Sequence, residues 1–173
     1  MPYLSVTRTL SLVISFTFLC FEFSVKAQTP IVADPPSGTL DGVNILSGTS
    51  VIIQLRSPSK QYVYLKGDFN SFSENANSLM KISTDGNSHW LQINNLNPGT
   101  YYRYFFLVEG ELEIGDPYSE LILDPWNDGY IPQVNFPGMP QYPTGVVSVP
   151  ISTFRTDNPY FLWTDYNFQK PSQ

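Results

Sequence analysis

Charged residues are scarce in this chain, and it contains a single histidine and a single cysteine. Its 9 basic residues are outnumbered by 15 acidic ones, which argues against a nucleic-acid surface or an anionic membrane as the first partner. No stretch shows helical periodicity of useful length. The 173 residues are also too few for a (β/α)8 enzyme barrel, which needs about 250. The sequence therefore predicts one domain without a long helix.

The first 27 residues have the layout of a secretory signal peptide. Arg8 precedes an apolar run from Leu10 to Phe21, and Val25 and Ala27 supply small residues at the −3 and −1 positions. We therefore expect cleavage after Ala27 and no membrane association afterwards. The alternative is an uncleaved anchor, but the apolar run is shorter than the ~20 residues that a span requires.

Cleavage would remove the only cysteine, Cys20. The mature chain would then have no disulfide, no thiol nucleophile and no thiolate metal site. It would keep 7 basic and 14 acidic residues, so it would stay acidic. Its fold must depend on packing alone.

Aromatic and β-branched residues occur in short runs bounded by Gly, Pro, Asn and Asp, which is typical of strands. The Ser57–Ser59 turn predicts a hairpin between the two runs beside it, and Pro98-Gly99 predicts a tight antiparallel connection. The run 101–108 is apolar at both odd and even positions, which predicts a central strand covered on both faces. Glu109-Gly110 predicts a hairpin tip, and the Thr84–Asn87 turn predicts a reversal from the short strand before it into the run that contains Trp90. About seven or eight such strands predict an all-β, immunoglobulin-like β-sandwich.

The amino-acid composition along the chain indicates three regions after the signal peptide. Residues 28–37 are polar and proline-rich and are expected to be a linker. Residues 38–122 carry the predicted sandwich. Residues 123–173 are rich in proline and aromatic residues, and we expect an extended segment that lies over a surface.

Several residues resemble the family 48 carbohydrate-binding module, an early-set immunoglobulin-like β-sandwich found ahead of starch- and glycogen-active enzymes. They are the run Val63 to Asn70, followed by Trp90, Leu96, Pro98-Gly99, Tyr104, Phe106, Val108 and Gly110. The stretches 115–119 and 123–128, with Tyr142-Pro143, resemble the N-terminal region of secreted α-amylase-type enzymes of glycoside hydrolase family 13 from Bacteroides-like bacteria. The resemblance covers nearly all of residues 35–171.

The resemblance implies a role without catalysis. Family 13 hydrolases carry their catalytic carboxylates on barrel strands, and no barrel is found up to Gln173. We therefore expect a non-catalytic accessory domain, without cofactor or metal, that docks on or positions an α-amylase-type barrel. It would be secreted to the periplasm or the outer surface of a Gram-negative bacterium. The alternative is a stand-alone starch- or glycogen-binding module. Binding of α-glucan by this chain alone is expected to be weak or absent.

The resemblance also indicates candidate site residues. Phe72 stands where glycogen-binding members carry a stacking tryptophan, and Asn70 and Tyr64 lie close to it in the sequence. Phe105 and Leu112 stand where a ligand-holding lysine and a second tryptophan are expected, so two of three positions depart from the pattern. For docking on a neighbouring domain the candidates are Trp126, Tyr142 and Trp163, which are aromatic residues in irregular chain.

Other residues have ordinary structural explanations. The alternating glutamates at 109–113 could share one face for glycosidic acid/base chemistry, but a solvated hairpin tip gives the same spacing. The aspartates at 116–128 could hold calcium, but turns rich in Asp-Pro explain them as well. His89 is expected at a strand edge, and Trp90 is expected to pack in the core.

Overall fold

The computed structural model describes residues 29–146 and 148–157. The expected signal peptide and the docking candidate Trp163 lie outside the described residues. Within the described part there are nine β-strands and two 3₁₀ turns, Asp68–Asn70 and Asp128–Tyr130. In chain order the strands are β1 (Gly42–Ser47), β2 (Ser50–Arg56), β3 (Val63–Gly67), β4 (Lys81–Ile82), β5 (Ser88–Ile93), β6 (Tyr102–Val108), β7 (Leu112–Ile114), β8 (Leu121–Leu123) and β9 (Ile151–Phe154).

These strands form two antiparallel sheets, which we call sheet I and sheet II. Sheet I has the order β1-β2-β5-β4, and sheet II has the order β3-β6-β9-β8 with β7 also paired to β6. Alternate residues of both sheets point into a shared apolar core. The core residues include Val51, Ile53, Leu55, Val63, Leu65, Tyr102, Tyr104, Phe106 and Val108. The predicted all-β, immunoglobulin-like β-sandwich is confirmed.

The central strand and two of the hairpins were predicted correctly. Strand β6 has β3 on one side, and β7 and β9 on the other, and nearly all of its residues are buried. Strand β7 returns from the Glu109-Gly110 tip, where both residues have positive φ. Strand β4 pairs with β5 across the Thr84–Asn87 turn.

Two other hairpins were predicted wrongly. Strands β2 and β3 lie in opposite sheets, and so do β5 and β6 on either side of Pro98-Gly99. Both edges of β2 are occupied by β1 and β5, so β3 has no place beside it. Turn residues show where the chain reverses, but they do not show which strand becomes the hydrogen-bonded partner.

The sandwich reaches beyond residue 122, the boundary expected from the sequence. Strand β9 lies between β6 and β8 in sheet II, because its Ile151–Phe154 backbone completes the edge of β6 that β7 leaves open. The residues between β8 and β9 do not run as extended chain. They form successive turns, with backbone hydrogen bonds such as Tyr130 N to Asn127 O at 3.0 Å and Asn135 N to Pro132 O at 2.9 Å.

Residues 29–37, expected as a linker, also contact the sandwich. Ala33 N donates to Ile82 O at 2.8 Å, and Ile82 N donates to Ile31 O at 3.0 Å, so this segment lies along β4. Trp90 is buried beneath it and donates its indole N–H to Ala33 O at 2.7 Å. Trp90 is therefore buried as expected, but because it pairs with Gln54 and Lys81, it lies on the outer face of sheet I and outside the cluster between the two sheets.

His89 was expected at a strand edge and is instead fully buried. It lies on β5, which has a neighbour on each side, and pairs with Leu55. Its Nδ1 is 2.7 Å from Ser57 Oγ. Burial lowers the pKa of the imidazole, which favours the neutral form that this apolar site requires.

Candidate functional site

The predicted carbohydrate residues lie on the outer face of sheet II, which we call the Phe72 face. Strand alternation places Val63 and Leu65 in the core and Tyr64 and Lys66 outward. On the adjacent β6, Phe105 pairs with Lys66 and therefore points to the same side. The 3₁₀ turn after β3 then carries the chain to Phe72. The Phe72 face is defined here by Tyr64, Lys66, Phe72 and Phe105.

Phe72 is placed by a strained turn. Both Ser71 and Phe72 have left-handed backbone conformations, with φ of 53° and 54°, which non-glycine residues adopt at a cost of about 1–3 kcal/mol each. The Phe72 amide donates to Gly67 O at 2.9 Å and holds this conformation. Its ring, which is partly exposed, stacks on Phe105 with centroids 6.0 Å apart and planes 17° apart. One face of the ring is therefore already covered by the protein.

Asn70 and Tyr64 both make contacts with other parts of the protein. Asn70 Oδ1 accepts from Gly67 N at 2.9 Å, and its Nδ2 donates to Leu65 O at 2.8 Å, so this side chain stabilises the turn. Tyr64 is buried, and its ring packs edge-on against Tyr62 with centroids 5.8 Å apart. Burial raises the pKa of the Tyr64 hydroxyl. Of the three carbohydrate candidates, the structure leaves only Phe72 with a partly exposed ring.

Lys66 was not predicted as a site residue. Its Nζ lies 5.4 Å from the centroid of the Phe105 ring, so a cation stands beside the stacked pair of phenylalanines. Strand alternation gives its outward direction, but the sequence does not give the pairing of Lys66 with Phe105. The position expected to carry a lysine holds Phe105, and the structure supplies the amine from the neighbouring strand.

Leu112, the second expected ligand position, is not on the Phe72 face. It pairs with Val108, a core residue, so it lies on the other side of sheet II and is half-exposed near the end of the sheet. The structure therefore does not bring the positions 72 and 112 together on one surface.

An ion pair fastens the turn below Phe72 to the sheet. Arg103 donates from Nε to Asp68 Oδ2 at 2.9 Å and from Nη2 to Oδ1 at 2.7 Å, a two-point geometry that fixes orientation as well as distance. The Asp68 carboxylate raises the pKa of the guanidinium. Arg103 Nη1 also donates to Gln141 O at 2.8 Å, which ties the loop after β8 to the same point.

The docking candidate Trp126 is 61% exposed on the loop after β8. Asp124 holds this loop, because its carboxylate accepts from Trp126 N at 2.7 Å and from Asn127 Nδ2 at 2.6 Å. These hydrogen bonds lower the pKa of Asp124. Three further exposed apolar side chains follow within nine residues of the chain: Tyr130, Ile131 and Val134. We call these four side chains the Trp126 surface.

Tyr142 differs from Trp126 because it points into the loop. Its hydroxyl donates to Val149 O at 2.7 Å, and its side chain lines a pocket of about 330 Å³ together with Phe136 and Met139. It therefore holds the loop together, and it shares this pocket with Ile131 of the Trp126 surface.

The acidic residues do not form a metal-binding cluster in the part of the chain that the structure describes. No group of three His, Cys, Asp or Glu side chains suits a metal ion there. Glu109 accepts from Lys60 Nζ at 3.1 Å and from Gln61 N at 3.2 Å. Its positive φ breaks the strand alternation that would have aligned it with Glu111 and Glu113.

Over residues 29–146 and 148–157 the chain contains no helix of the length and apolarity that crossing a bilayer would require.

Comparisons with known proteins give structural similarity only. No family model matches the chain, and no curated protein matches it. One similar solved structure is the GBS pullulanase SAP in complex with maltotetraose, with a TM-score of 0.43 and 18% identity over 68% of this chain and 14% of that chain. Another is the catalytic module of the multi-modular glycogen-degrading pneumococcal virulence factor SpuA in complex with an inhibitor. There the TM-score is 0.40, with 21% identity over 68% of this chain and 16% of that chain. Both similarities concern a small part of a larger protein.

Proposed function

We propose that this chain is a non-catalytic accessory β-sandwich of an α-amylase-like, starch- or glycogen-degrading enzyme, and that it docks on or positions the catalytic domain. The ordered set of residues from Val63 to Pro143 that resembles such accessory domains motivates the substrate class. The observation that carries the docking role is the Trp126 surface, where four apolar side chains are exposed on one hydrogen-bonded loop. Clusters of this kind mark interaction surfaces more often than isolated exposed residues do.

The Phe72 face supports a structural role over an independent sugar site. Glucan recognition needs an open aromatic ring and polar groups that can bond hydroxyls. Here one face of Phe72 is covered by Phe105, and both ends of the Asn70 amide are bonded to backbone. The Asn70 amide is therefore not available to sugar hydroxyls, and the polar group beside the two phenylalanine rings is the Lys66 amine.

The docking role is tested by pairing the chain with a family 13 catalytic domain encoded downstream of, or next to, its gene. Co-expression of both should give a complex, and Trp126→Ser with Tyr130→Ser should weaken the complex by at least tenfold. Tyr118→Ser is the matched control, because it removes an exposed aromatic residue outside the Trp126 surface. A gene neighbourhood without any such hydrolase, or a complex unaffected by the double variant, would overturn the proposal.

The second candidate is a stand-alone starch- or glycogen-binding module, and the partly exposed Phe72 beside Lys66 is the observation that favours it. Affinity electrophoresis in amylopectin separates the two functions. Retardation that is lost in Phe72→Ala would favour the binding module. Unretarded migration of the folded chain would exclude a stand-alone binding module.

We also propose that the protein is secreted, on the layout of residues 1–27. Expression in a Gram-negative host and mass spectrometry of the extracytoplasmic fraction should give a chain that begins at Gln28. Recovery of the full-length chain from the cytoplasm would contradict this.

A further inference from the structure

A pocket of about 390 Å³ opens at the seam between the two sheets, and its lining includes none of the four residues of the Phe72 face. Its walls come from the start of β1, the residue before β6, the turn before β8, the loop after β8 and the end of β9. Strand β1 is an edge of sheet I and β8 is an edge of sheet II, so the pocket occupies the space where the sandwich is open. We call it the seam pocket. The residues that line it include Asp41, Tyr101, Tyr118, Glu120, Phe136 and Arg155.

Four aromatic side chains line the seam pocket, and one of them, Phe154, also belongs to the core. Tyr118 is 53% exposed, and Tyr101 and Phe136 are partly buried. The Arg155 guanidinium lies 5.0 Å from the centroid of the Tyr101 ring and holds that ring from one side. The volume is at the lower end of the ~300–1,000 Å³ range of small-molecule sites.

Some charged groups of the seam pocket are paired within the protein and others are not. Arg155 donates to both carboxylate oxygens of Asp157, at 3.2 Å and 3.3 Å, so its charge is largely neutralised. Asp41 uses one oxygen to accept from Gln54 Nε2 at 3.0 Å. Among the described residues, its other oxygen and the whole Glu120 carboxylate make no hydrogen bond or ion pair. Available acceptors beside aromatic rings suit a ligand rich in hydroxyl donors, and the excess negative charge opposes an anion.

The position of Tyr118 is built into the fold. Its amide donates to Asp116 Oδ1 at 2.9 Å, and the other carboxylate oxygen accepts from the core residue Tyr104 at 2.6 Å. Gly42 has a φ of 90°, and a Cβ there would lie 2.8 Å from Tyr118 Cβ. The absence of a side chain at Gly42 therefore lets Tyr118 pack against the start of β1. The backbone and the base of the Tyr118 side chain are therefore positioned before a ligand arrives, which reduces the conformational entropy lost on binding.

We propose that the seam pocket binds a short neutral saccharide, with the ring of Tyr118 against the C–H face of a sugar and the carboxylates of Glu120 and Asp41 accepting hydroxyl hydrogen bonds. Apolar sugar faces on aromatic rings and hydroxyls on carboxylates use the two kinds of group that this pocket offers together. The site is separate from the Phe72 face and from the Trp126 surface. The inference does not depend on the docking role.

The test is a titration of the ¹⁵N-labelled chain with maltose, cellobiose and glucosamine, followed by amide chemical shifts. The expected result is saturable binding of a neutral disaccharide at millimolar concentration, with shifts centred on the seam pocket. Tyr118→Ala and Glu120→Gln should each weaken binding at least fivefold. Trp126→Ala should leave it unchanged and is the matched control for loss of an exposed aromatic side chain elsewhere.

Each other outcome overturns the proposal. Shifts centred on Phe72 would place the saccharide on the other face. Binding of glucosamine alone, weakened by salt, would make the site one for cations. No saturable shift up to 50 mM from a folded chain, judged by its dispersed spectrum, would exclude a saccharide site here.

Discussion

The Phe72 face and the seam pocket both carry several aromatic rings, but their polar groups are used differently. On the Phe72 face, Asn70 bonds backbone at both ends of its amide, and Asp68 is paired with Arg103. In the seam pocket, Glu120 makes no bond among the described residues and Asp41 has an unused oxygen. A high density of aromatic residues therefore does not by itself mark a binding site. The polar groups that the fold leaves available are the better indicator.

The difference has a structural origin. The Phe72 face lies over the middle of sheet II, where β6 has neighbours on both sides and its outward side chains must be covered. The seam pocket lies at the free edges of β1 and β8, where no strand closes the sandwich. Side chains that cover a central strand are used for packing within the protein. Side chains at an open edge remain available to a ligand.

The largest effect is expected from Phe105→Ala. Phe105 is fully buried, and removal of a buried phenylalanine side chain costs about 3–5 kcal/mol. The free energy of unfolding, measured by urea denaturation, should fall by that amount. Phe72→Ala is the comparison, because its ring is partly exposed, and it should cost clearly less. Equal losses from the two variants would mean that the Phe72 ring belongs to the core, and would remove it as a candidate for contact with sugar.

Gly42→Ala should cost about 1–3 kcal/mol, since its Cβ would overlap Tyr118. Gly86→Ala is the matched control: Gly86 has a similar positive φ of 69°, but a Cβ there would meet nothing within 4 Å. Both variants bear the backbone strain, so the difference between their unfolding free energies isolates the contact with Tyr118. Identical losses would show that Tyr118 is not held by Gly42 and would weaken the case for a prebuilt seam pocket.

Asp116, beneath the seam pocket, should make stability depend on pH. Burial raises the pKa of its carboxyl above the ordinary 3.8, so the folded state binds its proton more tightly than the unfolded state. The stability that this provides is present below pH 3.8 and is lost as the pH rises through the raised pKa. The unfolding free energy of the wild type, relative to Asp116→Asn, should therefore decrease from pH 3.5 to pH 7. A constant difference between the two proteins would contradict the buried charge.

The smallest effect is expected at Asp85, in the turn between β4 and β5. Hydrogen bonds from Ser83 and from Asn87 lower the pKa of this carboxyl to about 2. Its contribution to stability is present above pH 3.8 and is lost as the pH falls towards 2. A ¹³C titration of the carboxyl groups should show Asp85 titrating well below Asp116. The reverse order would contradict both the lowered pKa of Asp85 and the raised pKa of Asp116.

The candidate sites were predicted unevenly for a physical reason. Trp126 was expected on a surface because it stands between turn-forming aspartates, and local turn chemistry was enough to expose it. Tyr64 was proposed for sugar because it lies close to Phe72 in the sequence, but its side chain is buried on sheet II. Lys66 was missed because its relation to Phe105 is a cross-strand pairing, and the sequence alone does not give the register of β3 and β6.

The sequence by itself determined the all-β class, the central position of β6 and the hairpins β4–β5 and β6–β7. These follow from side-chain periodicity and turn residues, which act over a few neighbouring positions. Only the tertiary structure decided which sheet each strand joins, that β9 completes sheet II and that Trp90 lies outside the inter-sheet core. It also decided the seam pocket, which gathers Asp41, Tyr118 and Arg155 from distant parts of the chain. Such contacts depend on which edges remain open after the strands have paired, and no local pattern contains that information.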